Sequence, residues 1–204
     1  MSTEPRPHPS NTHWQEGWHP HATRTPSPNF GPRPQGIAID LAVVHSISLP
    51  PGQYGGNDIQ RLFTNTLDWD AHPYFDLIRG AEVSAHFVVR RDGQLLQFVS
   101  VLDRAWHAGR SHWQGRDNCN DFSVGIELEG LEHTPFEVPQ YETLARLLRD
   151  LAEAWPIAQT VGHEHIAPGR KQDPGKAFDW PLLASLTGWP AKRFPPSALL
   201  DSSS

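Results

Sequence analysis

Between residues 140 and 155 apolar side chains return every three or four positions, at Tyr141, Leu144, Leu147, Leu148, Leu151, Ala152 and Trp155. Glu142, Arg146, Arg149 and Asp150 fall mostly on the opposite side. The spacing matches the helical repeat and predicts an amphipathic helix. Residues 39–47 (IDLAVVHSI) instead form a continuous apolar, β-rich run, the pattern of a buried central strand, with His45 at its C-terminal end. After Gly55-Gly56, Ile59, Leu62 and Phe63 predict a short helix. Residues 85–90 (AHFVVR) and 94–99 (QLLQFV) flank Arg91-Asp92-Gly93, whose Asp-Gly pair suits a tight hairpin turn. Residues 120–130 (NDFSVGIELEG) read as a second buried strand that carries two carboxylates, Glu127 and Glu129. A short β-like piece at 160–165 leads through APGRKQDPGK to a brief helix from about residue 179. Strands and helices alternating around one hairpin predict an α/β fold with a mixed central β-sheet flanked by helices.

Periodicity is missing at both ends. Residues 1–36 hold prolines at 5, 7, 9, 20, 26, 28, 32 and 34 and read as a Pro-rich arm, lying across the domain or partly disordered. The stretch 190–204 reads as a similar tail, which leaves 37–189 as the folded unit. His8, His13, His19 and His21 fall in the arm and are expected to be solvent-exposed. No run approaches the roughly 18 apolar residues that cross a bilayer, and the N-terminus is too rich in Pro, His and Trp for a signal-peptide core. A cytoplasmic location is the expectation. Cys119 is the only cysteine, so no internal disulfide can form, and it is a weak nucleophile candidate. A formal charge of −6 with scattered Lys and Arg disfavours nucleic acid or an anionic membrane as partner. A small ligand held by local chemistry is expected instead.

Catalytic zinc is usually held by three protein ligands, with one position left open. His45, His163 after a short strand, and Asp173 ten residues further on form a candidate set. These come from distant segments, and a lone histidine at a strand end is more often an ordinary hydrogen-bonded residue; spacing alone leaves both readings open. Glu127, between Ile126 and Leu128, is expensive to keep ionised in a dry core without a partner or a job. Alternation can also turn Glu127 and Glu129 outward together, with Phe122, Val124, Ile126 and Leu128 inward, and does not separate the two readings. Lys171 lies between the second and third candidate ligands, where an ammonium could stabilise an oxyanion; an exposed loop lysine is the plain alternative.

Seven motifs in order carry a resemblance: PSPNFGPRP (26–34), VVHSISLPPGQYGG (43–56), LFTNTLDWDAHPYF (62–75), VSAHFVVRRDGQLLQFV (83–99), RAWHAGRS (104–111), QGRDNCNDFSVGIELEG (114–130) and GHEHIAPGRKQDPG (162–175). In these the chain resembles the AmpD-type anhydromuramoyl-L-alanine amidases, within the zinc amidase and peptidoglycan-recognition superfamily. The resemblance implies the N-acetylmuramoyl-L-alanine amidase-like fold, with zinc as cofactor on His45, His163 and Asp173. It implies Glu127 as general base or proton shuttle and Lys171 as the second catalytic group. Tyr74, Trp106, His107 and Asn120 are expected near the substrate, with packing as the alternative for the aromatics and loop fixing for Asn120. His165 and His86 are not expected as ligands, His86 being structural or near the cleft. Ser46 and Glu82 depart from the family pattern, which has asparagine and arginine there, and so bear on substrate contacts.

The implied reaction is hydrolysis of the amide between the lactyl group of (1,6-anhydro)-N-acetylmuramic acid and L-alanine, in cytoplasmic recycling of wall fragments. The implied partner is a small muropeptide, taken by a monomer. The alternatives are an exported amidase acting on intact peptidoglycan, a recognition module that binds fragments without cutting them, and a histidine-rich metal-storage protein. The full set of His45, His163, Asp173, Glu127 and Lys171 favours the enzyme, because recognition modules typically lack it and a storage protein needs clustered ligands.

Overall fold

The computed structural model describes residues 13–196. In chain order its strands are β1 (Thr23–Arg24), β2 (Phe30–Gly31), β3 (Leu41–Ile47), β4 (Phe87–Val89), β5 (Leu95–Gln97), β6 (Arg104–Ala105), β7 (His112–Trp113), β8 (Arg116–Asp117), β9 (Ser123–Glu129) and β10 (Gln159–Gly162). The helices are α1 (Asp58–Phe63), α2 (Val138–Ala154), α3 (His163–Ile166) and α4 (Trp180–Thr187). Six strands form one sheet in the order β1, β5, β4, β9, β3, β10. β9 and β10 run parallel to β3, and β4 runs parallel to β9 but antiparallel to β5. This is the mixed, helix-flanked sheet that the alternation of patterns predicts.

Side chains alternate across the central strands and give the sheet two different faces. Ala42, Val44, Phe87, Val89, Val124, Ile126 and Leu128 share one core with Leu144, Leu147, Leu148 and Leu151 of α2. Each buried leucine in that layer contributes about 1.5–3 kcal/mol relative to exposure. Gln140 bolts the helix to the sheet: its Nε2 donates to the carbonyls of Val89 and Glu129. The hairpin turn brings Gly93 against α2 with φ of 85°, where a Cβ would stand 2.9 Å from the Pro139 carbonyl oxygen. The opposite face carries His45 and Glu127 in register, under a second core of Ile59, Leu62, Phe63, Phe75 and Val88.

The expected boundary at residue 37 is not a break in the structure. Trp14 packs edge-on against Phe87 and Trp155 at 6.3 and 4.7 Å between centroids, and β1 adds to β5 as a parallel strand. Arg33 donates to the carbonyls of Val101, Asn120, Asp121 and Ser123. His19, expected to be exposed, is buried, with Nε2 3.0 Å from Asp150 Oδ2, whereas His13 and His21 are exposed. His8 lies outside the described residues. Proline abundance excludes helical periodicity but does not report whether an extended segment docks on a sheet edge. At the other end Phe194 is buried beside Trp180 and Trp189, so the expected tail begins inside the core. The β-like run at 160–165 also stops early. The Gly162 N–H donates to His165 Nδ1, and the chain turns into α3 at His163.

Candidate active site

Three adjacent parallel strands deliver the site. His45 of β3 is the register partner of Glu127 on β9, and β10 pairs on the other side of β3 with Gly162 opposite Val44, so His163 follows at the C-terminal end. Groups at the carboxyl ends of parallel strands are held by the ladder hydrogen bonds. Asp173 arrives from the following loop, tied down by its carbonyl, which accepts the Glu164 N–H at 2.9 Å.

His45 Nδ1, His163 Nδ1 and Asp173 Oδ2 form a buried triangle. Its edges are 2.9 Å between the two nitrogens, 3.2 Å from His45 to Asp173 and 3.1 Å from His163 to Asp173. Among the described residues it is the one group of three or more His, Cys, Asp or Glu side chains placed to hold a metal ion. The His163 Nε2 lies 3.1 Å from the Ala108 carbonyl oxygen, which can only accept. A neutral imidazole that donates from Nε2 to this carbonyl keeps its Nδ1 lone pair pointing into the triangle beside the Asp173 carboxylate. Burial, with the neighbouring His163 second, pushes the His45 pKa down to about 4, so its imidazole is neutral, the form that ligates. Converging lone pairs in a dry site repel unless a cation lies among them. Two imidazoles and a carboxylate suit zinc.

A cavity of about 240 Å³ opens beside the triangle, lined by all three residues together with Glu127, Lys171, Trp106 and Val83. Glu127 is buried, and its Oε2 has no hydrogen-bond partner among the described residues. Burial raises its pKa well above the ordinary range; the Asp173 charge adds to this and the Lys171 ammonium opposes it. Glu129, two residues on, faces the same way with the opposite chemistry. Its Oε1 takes Arg90 Nη1 at 3.0 Å and the Gly55 N–H at 2.7 Å. Alternation thus turns both glutamates to one face, but that face is covered: Glu129 is structural and Glu127 is left open to the cavity.

The remaining expected residues divide. Trp106 lines the cavity and Tyr74 does not; Tyr74 packs at the edge of the second core. His107 reaches the cavity edge, but its Nδ1 sits 2.9 Å from His45 Nε2, behind that side chain. Asn120 Oδ1 accepts from the N–H groups of His107 and Ala108 at 3.1 and 2.8 Å, the loop-fixing alternative. His86 is fully buried, with Nδ1 accepting from Gly125 N–H, and His165 is taken up by Gly162; neither belongs to the triangle. Ser46 lines the cavity, and exposed Glu82 adjoins lining residue Val83. Glu132 and Ser84 also line it and carry no sequence signal that singles them out.

A family model described as N-acetylmuramoyl-L-alanine amidase matches residues 35–176. Over 173 residues the chain is 51% identical to the 1,6-anhydro-N-acetylmuramyl-L-alanine amidase AmpD of Salmonella typhimurium, covering 84% of this chain and 92% of that protein. A crystal structure of a Se-Met AmpD derivative superposes with a TM-score of 0.82 at 50% identity, covering 84% of this chain and 97% of that one. The E. coli amidase AmiD, solved with anhydro-N-acetylmuramic acid-L-Ala-D-γ-Glu-L-Lys, superposes with a TM-score of 0.54 at 29% identity, over 76% of this chain and 60% of that one.

Proposed function

The chain belongs to the N-acetylmuramoyl-L-alanine amidase family, and on that premise we propose that His45, His163 and Asp173 hold zinc while Glu127 and Lys171 carry the proton and charge chemistry. The enzyme hydrolyses the amide bond between anhydro-N-acetylmuramic acid and L-alanine in peptidoglycan recycling, and a muropeptide is its substrate. The observation that carries the assignment of roles is the pairing of a convergent His-His-Asp triangle with an unpartnered, buried Glu127 Oε2 on the next strand.

When bound, zinc supplies a Lewis acid that acidifies water and polarises a carbonyl. Glu127 takes the proton of the attacking water on Oε2; its raised pKa makes the acceptor basic enough to act near neutrality. The same carboxyl then delivers the proton to the departing alanine nitrogen. Lys171, which lines the cavity, donates to the oxyanion that develops on the lactyl carbonyl. Trp106 and Val83 form an apolar wall that positions the muropeptide, and Ser46 contributes a hydroxyl beside the ligands.

The catalytic unit includes residues 13–36, because Ser27 Oγ donates to the Phe63 carbonyl and Asn29 Nδ2 to that of Val83, bracing two residues of the cavity wall. No helix among the described residues is long and apolar enough to cross a membrane. A monomer in the cytoplasm accords with the formal net charge of −6 and the single, buried cysteine. Turnover of anhydromuramyl tripeptide followed by mass spectrometry tests the reading. Release of the L-alanine-headed peptide by the zinc-loaded protein, but not by Glu127→Ala or a chelated sample, is expected; equal release in all three would sink the zinc mechanism.

A further inference from the structure

We propose that His107 and the Ala108 carbonyl form one positioning element that presents both histidine ligands to the metal through Nδ1, and that Asn120, Ser123 and Gly125 hold this element in place. The proposal rests on the zinc reading of the triangle.

Its direction follows from counting protons along a hydrogen-bonded chain. Ser123 Oγ lies 2.6 Å from the Cys119 carbonyl oxygen, which can only accept, so the single hydroxyl proton is committed there. Toward His107 Nε2, 3.2 Å away, the same oxygen must then accept, which puts the imidazole proton on Nε2. In this buried layer an unpaired imidazolium is costly and the ring is neutral, so His107 Nδ1 is an acceptor. His45 Nε2, 2.9 Å away, is therefore the donor, and the His45 lone pair is left on Nδ1, facing His163 and Asp173. The other ligand is set by the next residue. His163 Nε2 donates to the Ala108 carbonyl at 3.1 Å, and Arg170 Nη2 shares that oxygen at 2.7 Å. One dipeptide thus selects the tautomer of both histidines, the outer-shell role that usually sets ring orientation and ligand basicity.

The dipeptide is itself pinned. Asn120 Oδ1 takes both of its backbone N–H groups, and Gly125 supplies the space for the ring: a Cβ there would stand 2.3 Å from His107 Cγ. Ser123 and Gly125 share the β9 face that carries Glu127, so one strand supports the ligand shell and presents the base.

The test combines long-range ¹H–¹⁵N correlation of the histidine rings with zinc affinity from chelator competition, on the full chain. Expected are Nε2–H tautomers for His45, His163 and His107 in the zinc-loaded protein. His107→Leu should weaken zinc binding by about 10–100-fold. His107→Gln, whose Oε1 can still accept from His45 Nε2, should recover part of that loss. Ser123→Ala removes one hydroxyl from the chain, and is expected to weaken zinc binding and shift the His45 ring resonances even if His107→Leu fails to fold. A proton on His45 Nδ1 in the zinc-free wild type, or unchanged zinc affinity in folded His107→Leu and Ser123→Ala, overturns the proposal. Failure of the wild type to bind stoichiometric zinc overturns the metal reading and the proposal with it.

Discussion

Glu127 stands opposite His45 in the parallel β3–β9 register, so the proposed proton acceptor and the proposed metal-binding imidazole are set side by side by strand pairing rather than by a loop. The ladder fixes their separation and leaves only the side-chain torsions free. Glu129, at the next same-facing position, is consumed by Arg90 and Gly55, which makes the two glutamates of IELEG separable by substitution.

Glu127→Gln removes the proposed base while keeping the shape of the side chain. Activity should fall by about 10²–10⁴-fold, the usual worth of a positioned general base. Zinc content should be unchanged, because Glu127 is not part of the triangle. Steady-state kinetics beside metal analysis checks both; loss of zinc together with activity would place Glu127 in the ligand set.

The pH dependence follows from the same carboxyl. Its pKa is raised by burial, so the active ionised form is lost as pH falls through a value well above the ordinary glutamate range. For stability the sign is reversed: a raised folded pKa favours the protonated native state, a contribution fully present below the unfolded pKa and lost as pH rises through the folded one. Metal-free Glu127→Gln should therefore be more stable than wild type at neutral pH and equal to it at low pH, as read by urea denaturation. No gain at neutral pH would mean that Glu127 is solvated.

Glu129→Ala should cost about 3–5 kcal/mol, the penalty for leaving a buried partner charge unpaired. Arg90 is buried with it, and its Nη1 also donates to the Gly56 carbonyl, so the guanidinium cannot simply swing into solvent. Equilibrium unfolding in urea measures the cost. A loss below about 1 kcal/mol, typical of an exposed pair, would contradict the burial.

Gly125→Ala places a methyl group where the His107 ring lies, against the backbone of a central strand that cannot retreat. The expected cost is about 1–3 kcal/mol, as for other overpacked cores, accompanied by weaker zinc binding. Gly56→Ala is the control: a Cβ there meets nothing within 4 Å, and its stability should change by no more than about 0.5 kcal/mol. Thermal denaturation with and without zinc distinguishes the two variants.

Chelation should lower the thermal midpoint of the wild type, because an ion bound only by the native state stabilises it by about 4 kcal/mol at a thousand times its Kd. Asp173→Ala should unfold at the chelated midpoint whether or not zinc is added. A midpoint that responds to zinc in Asp173→Ala would remove that carboxylate from the ligand set.

The hairpin around Gly93, the helix at Val138–Ala154, the central strands and the mixed sheet were all legible in the sequence, because each is written in a local repeat or a turn dipeptide. His45, His163, Asp173 and Glu127 were nameable because the motifs around them resemble a family, while spacing alone left each open to a plainer reading. What the glutamates face, where His107 points and how the N-terminal segment packs were decided only by the tertiary structure. Alternation places Glu127 and Glu129 on one face but does not reveal that the face is covered. His107 reaches the cavity edge, but that Gly125, eighteen positions away, makes room for its ring behind His45 is not written in any local pattern. His19 and Trp14 lie in sequence with no period, yet His19 is buried and Trp14 half-buried against residues more than a hundred positions distant. Local pattern records how a segment can be shaped; which partner covers it depends on contacts between segments that the chain brings together only on folding.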